Sequence, residues 1–345
     1  MGYAVTVYPI NGCRFDVAAV YADMPAGVEV MHDSTLERFD AFLAARRDYY
    51  DVMWVARTHN LPGVRAALDR VYGAHGGSPP VVLDTEAISA IREAQQSALN
   101  GAPFDLDAAI RHELRDASFC RAIVAINEAE AAVVRRTGFG DVAILGHLRP
   151  LTPTARSFEQ RSGMLFVGAI HRIDSPNYDS LCWFIDEVLP LIGRELAWRT
   201  RLTVVGYTGE DVVLDRFRDH PRVTLRGPVT DLRPLYDSHR VFVAPTRFAA
   251  GVPYKVHEAA SFGLPVVATD LLRRQLGWTD GVELLAADAG DPAGFAGRAI
   301  ASQRDEALWS RLRDAALERL RLENNAADYQ AALGAVLGPA RGPRG

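Results

Sequence analysis

The sequence predicts an α/β protein made of two doubly wound halves, and three observations carry the prediction. Short apolar runs of the kind that form buried parallel strands alternate with helical patterns along the whole chain. A proline-bearing polar stretch, 148–163, divides this alternation into two series. A length of 345 residues exceeds a usual single core and fits two domains of about 150 residues each.

In the first series, strands are expected at 4–9, 28–31, 52–56, 81–84, 122–126 and 143–145, where β-branched and apolar residues cluster over a few positions. Helical spacing of apolar residues falls between them at 36–47, 62–71, 87–97, 106–117 and 128–137. The second series repeats the pattern, with strands at 165–168, 201–205, 223–225, 241–245, 266–268 and 282–285. Its helices are expected at 177–191, 211–218, 232–236, 255–262, 292–301 and 306–320. Strand and helix in strict alternation imply parallel sheets, which bind ligands at the carboxyl ends of their strands. Two such halves imply a cleft suited to two substrates.

Composition narrows the class. A hydrophobic fraction of 48% with 23% charged residues is that of a soluble globular chain, and a formal charge of −5 supplies no field for nucleic acid. Arginines between 311 and 321 alternate with acidic residues, which reads as a solvated helix face. Cys13, Cys120 and Cys182 are widely spaced and fit free thiols in a reducing compartment, so a cytoplasmic protein is expected. No apolar run reaches the roughly 18 to 20 residues of a membrane span, leaving peripheral membrane contact as the expected limit.

The stretch VFVAPTRFAAGVPYKVHEAASFGLPVVATD at 241–270 is the richest in chemistry. It reads as a buried strand, a small-residue loop, an amphipathic helix and a second buried strand. A helix that starts beside small residues presents free backbone N–H groups and a partial positive charge, so it can hold a diphosphate without a metal. Lys255 and Glu258 fall on its first turns, within reach of a phosphate and a sugar hydroxyl. The plainer reading is an ordinary βαβ unit with a solvated Lys and Glu.

Neighbouring motifs carry a family resemblance. LFVGAIHRIDSPNYDSLCWFIDEVLPLI at 165–192, LTVVGY at 202–207 and VTLRGPVTDLRPLYDSHRVFVAPTRFAAGVPYKVHEAASFGLPVVAT at 223–269 occur in the order found in GT-B glycosyltransferases. The second half resembles their donor-binding domain, specifically that of the group 1 type, glycosyltransferase family 4. YDVMWVARTHN at 50–60, VVLDTEAI at 81–88 and AIVAINEAEAAVVRRTG at 122–138 are similar to the acceptor-side domain. The resemblance implies two Rossmann-like doubly wound domains facing a cleft. It sets an acceptor-side domain at 1–150, a linker at 151–163 and a nucleotide-sugar domain at 164–321. A helix at 322–337 packs back on the first domain, and 338–345 form a tail.

What the resemblance implies falls on particular residues. Glu258 matches the second glutamate of the family's paired-glutamate pattern and would hold ribose hydroxyls, whereas the first glutamate's place is taken by Ala250. Arg247, the amides of Ala250 and Gly251, and Lys255 would then hold the diphosphate and sugar. Gly227, Pro228 and Val229 resemble the segment that pairs with the nucleobase, and Gly168 and Gly206 permit close approach at strand ends. The family's Arg and Lys after the first of these glycines are replaced here, so His171, Arg172 or Asn177 would serve. On the acceptor side, His59 and Glu86 join Lys255 as catalytic candidates, Glu86 standing near the place of a family histidine. Asp84, Thr85 and Glu86 also imitate the Asp-x-Asp metal clamp of the other main glycosyltransferase architecture.

The expected activity is retaining, metal-independent transfer of a hexose from a nucleoside-diphosphate sugar to a hydroxyl of a glycan or small acceptor. No cofactor beyond the sugar nucleotide is expected. Gly2 to Pro9 resembles the family's second strand, so the central first strand is missing, and an upstream segment, a second chain or a rearranged sheet would fill the gap. The competing reading is a GT-B-like module that binds nucleotide or glycan within polysaccharide biosynthesis without turnover. A GT-B-fold epimerase is a third.

Overall fold

Valine-rich strands of three or four residues build three parallel sheets in the computed structural model, which describes residues 1–10, 24–31, 34–73, 77–196, 200–210, 212 and 214–338. Cys13, the expected helix start at Asp211 and the tail beyond Gly338 lie outside the described residues. The chain divides into two units. One comprises Met1–Ala90, Leu106–Leu145 and the chain from Ala327, and the other Ile91–Asp105 and Gly146–Ala326.

In the first unit, β1 (Val5–Val7) pairs in parallel with β2 (Val28–Val30). β3 (Met53–Ala56), β4 (Val81–Asp84), β5 (Ala122–Ala125) and β6 (Val142–Ile144) form a separate parallel sheet in that order. Among the described residues, β1 and β2 are not hydrogen-bonded to this four-stranded sheet. Val82, Leu83 and all of β5 are buried because helices cover both faces, as an all-parallel sheet requires. One covering element is the helix Ala326–Leu337, whose Val336 joins Val82, Val124 and Leu145, with Tyr329, Ala332 and Leu333 against the same cluster.

The second unit holds β7 (Met164–Val167), β8 (Leu202–Val205), β9 (Val223–Arg226), β10 (Val241–Ala244), β11 (Val266–Thr269) and β12 (Leu285–Ala287). Their order in the six-stranded sheet is β12-β11-β10-β7-β8-β9, all parallel. Every side chain of β10 and β11 is buried, which explains their unbroken apolar sequence.

The expected helix at 177–191 is interrupted. It runs as Pro176–Trp183, a π-helical turn Phe184–Val188 and the helix Leu189–Glu195. Pro190 lacks an N–H and its ring crowds the carbonyl four residues back, so a wider turn ahead of it relieves both problems. The expected helix at 106–117 ends at Glu113 and is followed by a 3-10 turn Ala117–Phe119. The strand placed at 282–285 begins instead at Leu285, because Val282 sits in a turn and is exposed. The helix Asp270–Leu276, closed by Gly277 in left-handed conformation at φ 67°, was not expected.

The stretch expected as a linker is a packed strap. Thr152 and Thr154 donate backbone N–H groups to the carbonyls of Ser261 and Phe262 at 3.0 and 2.9 Å. Arg161, only 1% exposed, donates to the carbonyls of Tyr236 at 2.7 Å and Arg156 at 2.9 Å and to Thr154 Oγ1 at 2.7 Å. Its guanidinium also faces the Trp309 ring at 5.3 Å. Burial lowers its pKa to about 10, still far above neutrality, so the charge is held by these acceptors. Removing it strands buried carbonyls, and Arg161→Ala is expected to cost about 3 kcal/mol of unfolding free energy in urea titration.

Candidate functional site

The order of the six-stranded sheet reverses between β7 and β10, so their carboxyl ends diverge and leave a crevice, the usual ligand position in such sheets. Gly168 and Ala169 leave β7 there, and Thr246 to Gly251 leave β10. Lys255 rises between them from the first turn of the helix Tyr254–Ser261. Its Nζ donates to Asn177 Oδ1 at 2.8 Å, and Asn177 Nδ2 donates to the Ala169 carbonyl at 2.8 Å. The ammonium also stands 4.9 Å from the centre of the Phe166 ring. Burial pulls the Lys255 pKa from its ordinary 10.5 down to about 8. Among the described residues no carboxylate is bonded to this cation, so an incoming anion would find it unneutralised by them.

The same helix starts without a side-chain cap at Pro253. The N–H groups of Ala250 and Gly251 have no acceptor among the described residues. Their loop is nevertheless fixed, since Ala249 donates its N–H to Gln95 Oε1 at 2.8 Å and accepts from Gln275 Nε2 at 2.9 Å. A rigid loop with open amides at a helix N-terminus is an anion cradle.

Beside it, Gly168, Gly206 and Gly227 line a cavity of about 380 Å³ at the ends of β7, β8 and β9, with Ile170, Thr208, Leu225 and Arg226. A Cβ on Gly206 would lie 2.2 Å from the Gly168 carbonyl oxygen, and one on Gly168 would lie 2.7 Å from Asn177 Nδ2. Only glycine allows these edges to close together. Val229, just beyond Gly227, is 37% exposed.

Other expected donor residues are already engaged. Glu258 accepts from Arg149 Nη2 at 2.8 Å and from Tyr236 OH at 2.9 Å, one partner on each oxygen, and retains lone pairs for a hydroxyl. Arg149 in turn bonds Ser261 Oγ at 3.0 Å and Tyr254 OH, and its N–H donates to Asn324 Oδ1 at 2.9 Å. Burial, and then proximity to Glu258, pushes the Tyr236 phenol upward, so it stays a donor. Arg247 is tied through Nε (2.9 Å) and Nη2 to Asp179, so its bidentate edge is spent on the protein rather than offered to a diphosphate. His171 packs against Tyr207 at 5.5 Å between ring centres, and Arg172 pairs with Asp174 in solvent. Of the three candidates after Gly168, Asn177 alone contacts Lys255.

In the first unit, His59 lies exposed on the 3-10 turn Thr58–Asn60 and Glu86 lies exposed after β4. Glu86 Oε2 accepts from Arg57 Nε at 2.6 Å. Asp84 accepts from Trp54 Nε1 at 3.1 Å on one oxygen and from the Glu86 N–H at 3.0 Å on the other. Asp84 and Glu86 thus point to different partners instead of converging as a metal clamp. No cluster of three metal-ligating side chains occurs among the described residues.

Comparison with known proteins places this geometry. Residues 161–305 match the family Glycosyl transferases group 1. TarM has a similar structure, with a TM-score of 0.69 at 12% identity over 88% of this chain and 58% of TarM. HepE of Anabaena, in complex with UDP and glucose, gives a TM-score of 0.67 at 14% identity over 93% of this chain and 88% of its own. A trehalose-6-phosphate synthase, studied for glycosyltransfer with retention, gives 0.61 at 12% identity over 88% and 78%. No curated protein matches at the sequence level. The chain has the GT-B fold.

This GT-B chain spans 58% of the length of TarM. Its second unit contains the residues that sequence reasoning missed: Asp179, Tyr236 and Arg149, which hold Arg247 and Glu258. Asp179 carried a weak signal, being acidic in the first turn of a helix. Arg149 carried none, since its partner lies 109 residues away.

The lowered Lys255 pKa has a sign that can be tested. The unfolded chain holds the proton up to the ordinary 10.5 and the folded chain only to about 8, so the unfolded state binds more protons between these values. Wild-type stability relative to Lys255→Met is therefore expected to rise with pH between about 8 and 10.5 and to be level below 8, read by denaturant unfolding across that range.

Proposed function

We propose that this chain transfers a sugar, a hexose, from a nucleoside-diphosphate sugar to a hydroxyl of a glycan or small acceptor, with retention and without a metal. The observation that carries the proposal is the half-buried Lys255 ammonium beside the open amides of Ala250 and Gly251 at the reversal between β7 and β10, inside the segment matching group 1. UDP is the diphosphate of first choice, because similar folds are described with UDP and with UDP-glucose. The cavity beside Gly206 and Gly227 would take the nucleobase and Glu258 the ribose hydroxyls.

In the transfer, the acceptor oxygen bonds to the anomeric carbon as the bond from that carbon to the β-phosphate oxygen breaks. The acceptor's proton passes to a β-phosphate oxygen, and the nucleoside diphosphate leaves. Negative charge grows on the leaving diphosphate, where Lys255 and the two amides are already aimed. Preorganised donors of this kind stabilise a transition state without reorganisation. Retention follows if acceptor and leaving group use the same face of the sugar, which the phosphate's role as proton acceptor favours. The trehalose-6-phosphate synthase with a similar fold, described for retention, supports the same course. His59 and Glu86 are assigned to the acceptor side.

The second reading, a nucleotide-binding module without turnover, draws support from Ala250 at a glutamate's place and from the pairing of Arg247 with Asp179. Calorimetry against nucleoside diphosphates, then transfer and hydrolysis assays with the matching sugar nucleotide, separates the two. UDP is expected to bind, Lys255→Ala and Glu258→Gln to weaken it by about tenfold each, or about 1.4 kcal/mol, and a chelator to leave transfer unchanged. Affinity should be full below pH 8, where Lys255 is charged, and fall above it. Absence of binding by every nucleotide would remove the donor-site assignment, and binding without turnover would leave the module.

A further inference from the structure

Two residues with left-handed backbone and full side chains face each other in the first unit. Arg57, at φ 67°, directly follows β3, and Glu86, at φ 52°, follows β4 by two residues. Non-glycine residues reach this region only at a cost in free energy. Their ion pair, at 2.6 Å, is exposed on both sides, 63% and 42%. Pairs so exposed to water add little to stability, so this one does not offset the backbone that presents it.

The surroundings hold the strain in place. The Arg57 N–H donates to the Asp84 carbonyl at 2.7 Å, and the following turn is pinned by Thr58 Oγ1 on Glu113 at 3.0 Å and Asn60 Nδ2 on the Ala56 carbonyl at 2.8 Å. Glu113 also accepts the N–H groups of Ser89 and Ala90, both at 2.9 Å. Around Glu86, its own N–H is held by Asp84, while the buried Glu130 accepts from Thr85 Oγ1 and from the Ile88 N–H at 3.2 Å. Both loops are fixed from beneath, and what they fix is a charged pair turned to solvent.

The pair leaves specific atoms open. Arg57 uses Nε alone, so its Nη1 and Nη2 edge has no partner among the described residues, and neither has Glu86 Oε1. A two-pronged donor edge beside a lone carboxylate oxygen matches a ligand that carries an anionic group near a hydroxyl. The carboxylate or phosphate would span the guanidinium fork, and the hydroxyl would donate to Oε1.

We propose that Arg57 and Glu86 form an acceptor subsite that selects an anionic sugar, a uronate or a sugar phosphate, over a neutral one. This deepens the proposed transfer reading and rests on it. Its test is an NMR titration of the full chain with glucose, glucuronate and glucose 6-phosphate. At least one anion is expected to bind about tenfold more tightly than glucose, and comparison of the two tells carboxylate from phosphate. Arg57→Gln is expected to abolish the preference. Arg57→Gly, which adopts positive φ freely, should fold at least as well and lose it too. UDP affinity, measured on the same samples, should stay at the wild-type value in both variants. If wild type binds UDP yet treats all three sugars alike, or if the preference survives in both variants, the subsite is overturned while the donor reading stands. If UDP binds to none of the proteins, it is the donor reading that fails.

Discussion

The reversal of strand order between β7 and β10 is the constraint on which the rest of the second unit depends. Because the chain leaves these neighbours in opposite directions, no connection covers their carboxyl ends, and the crevice must be furnished by side chains and loop amides. That is where a lysine amine can be half-buried with an amide oxygen for company and still meet an anion. The uninterrupted apolar strands, the glycines at the strand tips and the uncapped helix all serve the same geometry. Strands buried on both faces fix the floor, and glycines let the walls approach.

In the second unit, Lys255 is half-buried with no carboxylate bonded to it among the described residues, and burial depresses its pKa. The first unit uses the carboxylates of Asp84, Glu113 and Glu130 as struts that take backbone, hydroxyl and indole donors. Burial raises the Glu130 pKa against the pull of the hydrogen bonds from Thr85 and Ile88, so desolvation outweighs those bonds there. Of these carboxylates, Asp84 read as half of a metal clamp in the sequence, and in the structure it holds the Trp54 indole and the Glu86 N–H.

Periodicity made the fold legible, and 81–84 was read to its ends because Val81 to Asp84 is bounded by prolines and a turn. The GT-B resemblance came through because its motifs fill the strand tips. What escaped depends on contacts distant in sequence. Arg247 looked like a phosphate ligand because nothing nearby shows that Asp179, 68 residues earlier, would face it. The strap at 151–163 looked loose because prolines suggest turns, yet a proline restricts φ without preventing packing, and Arg161 found acceptors only once the chain had folded. The helix at Asp270–Leu276 was missed although its acidic first residue and closing glycine mark both ends, since at seven residues it is too short for periodicity to show. Pro190 was visible, but its answer, a π-helical turn, depends on packing that spacing does not encode.

Arg149 has one further consequence. It lies three residues after Gly146, where the chain re-enters the second unit, and its N–H is bound by Asn324, two residues before Ala326, where the chain leaves that unit. Its guanidinium meanwhile grips Glu258. The two segments and the carboxylate on the helix Tyr254–Ser261 are thus a single hydrogen-bonded knot. A chimera that grafted the second unit onto another protein could not treat 146–150 and 323–326 as dispensable splice joints. The junctions would have to travel with the unit, because the side chain that holds Glu258 is fastened there.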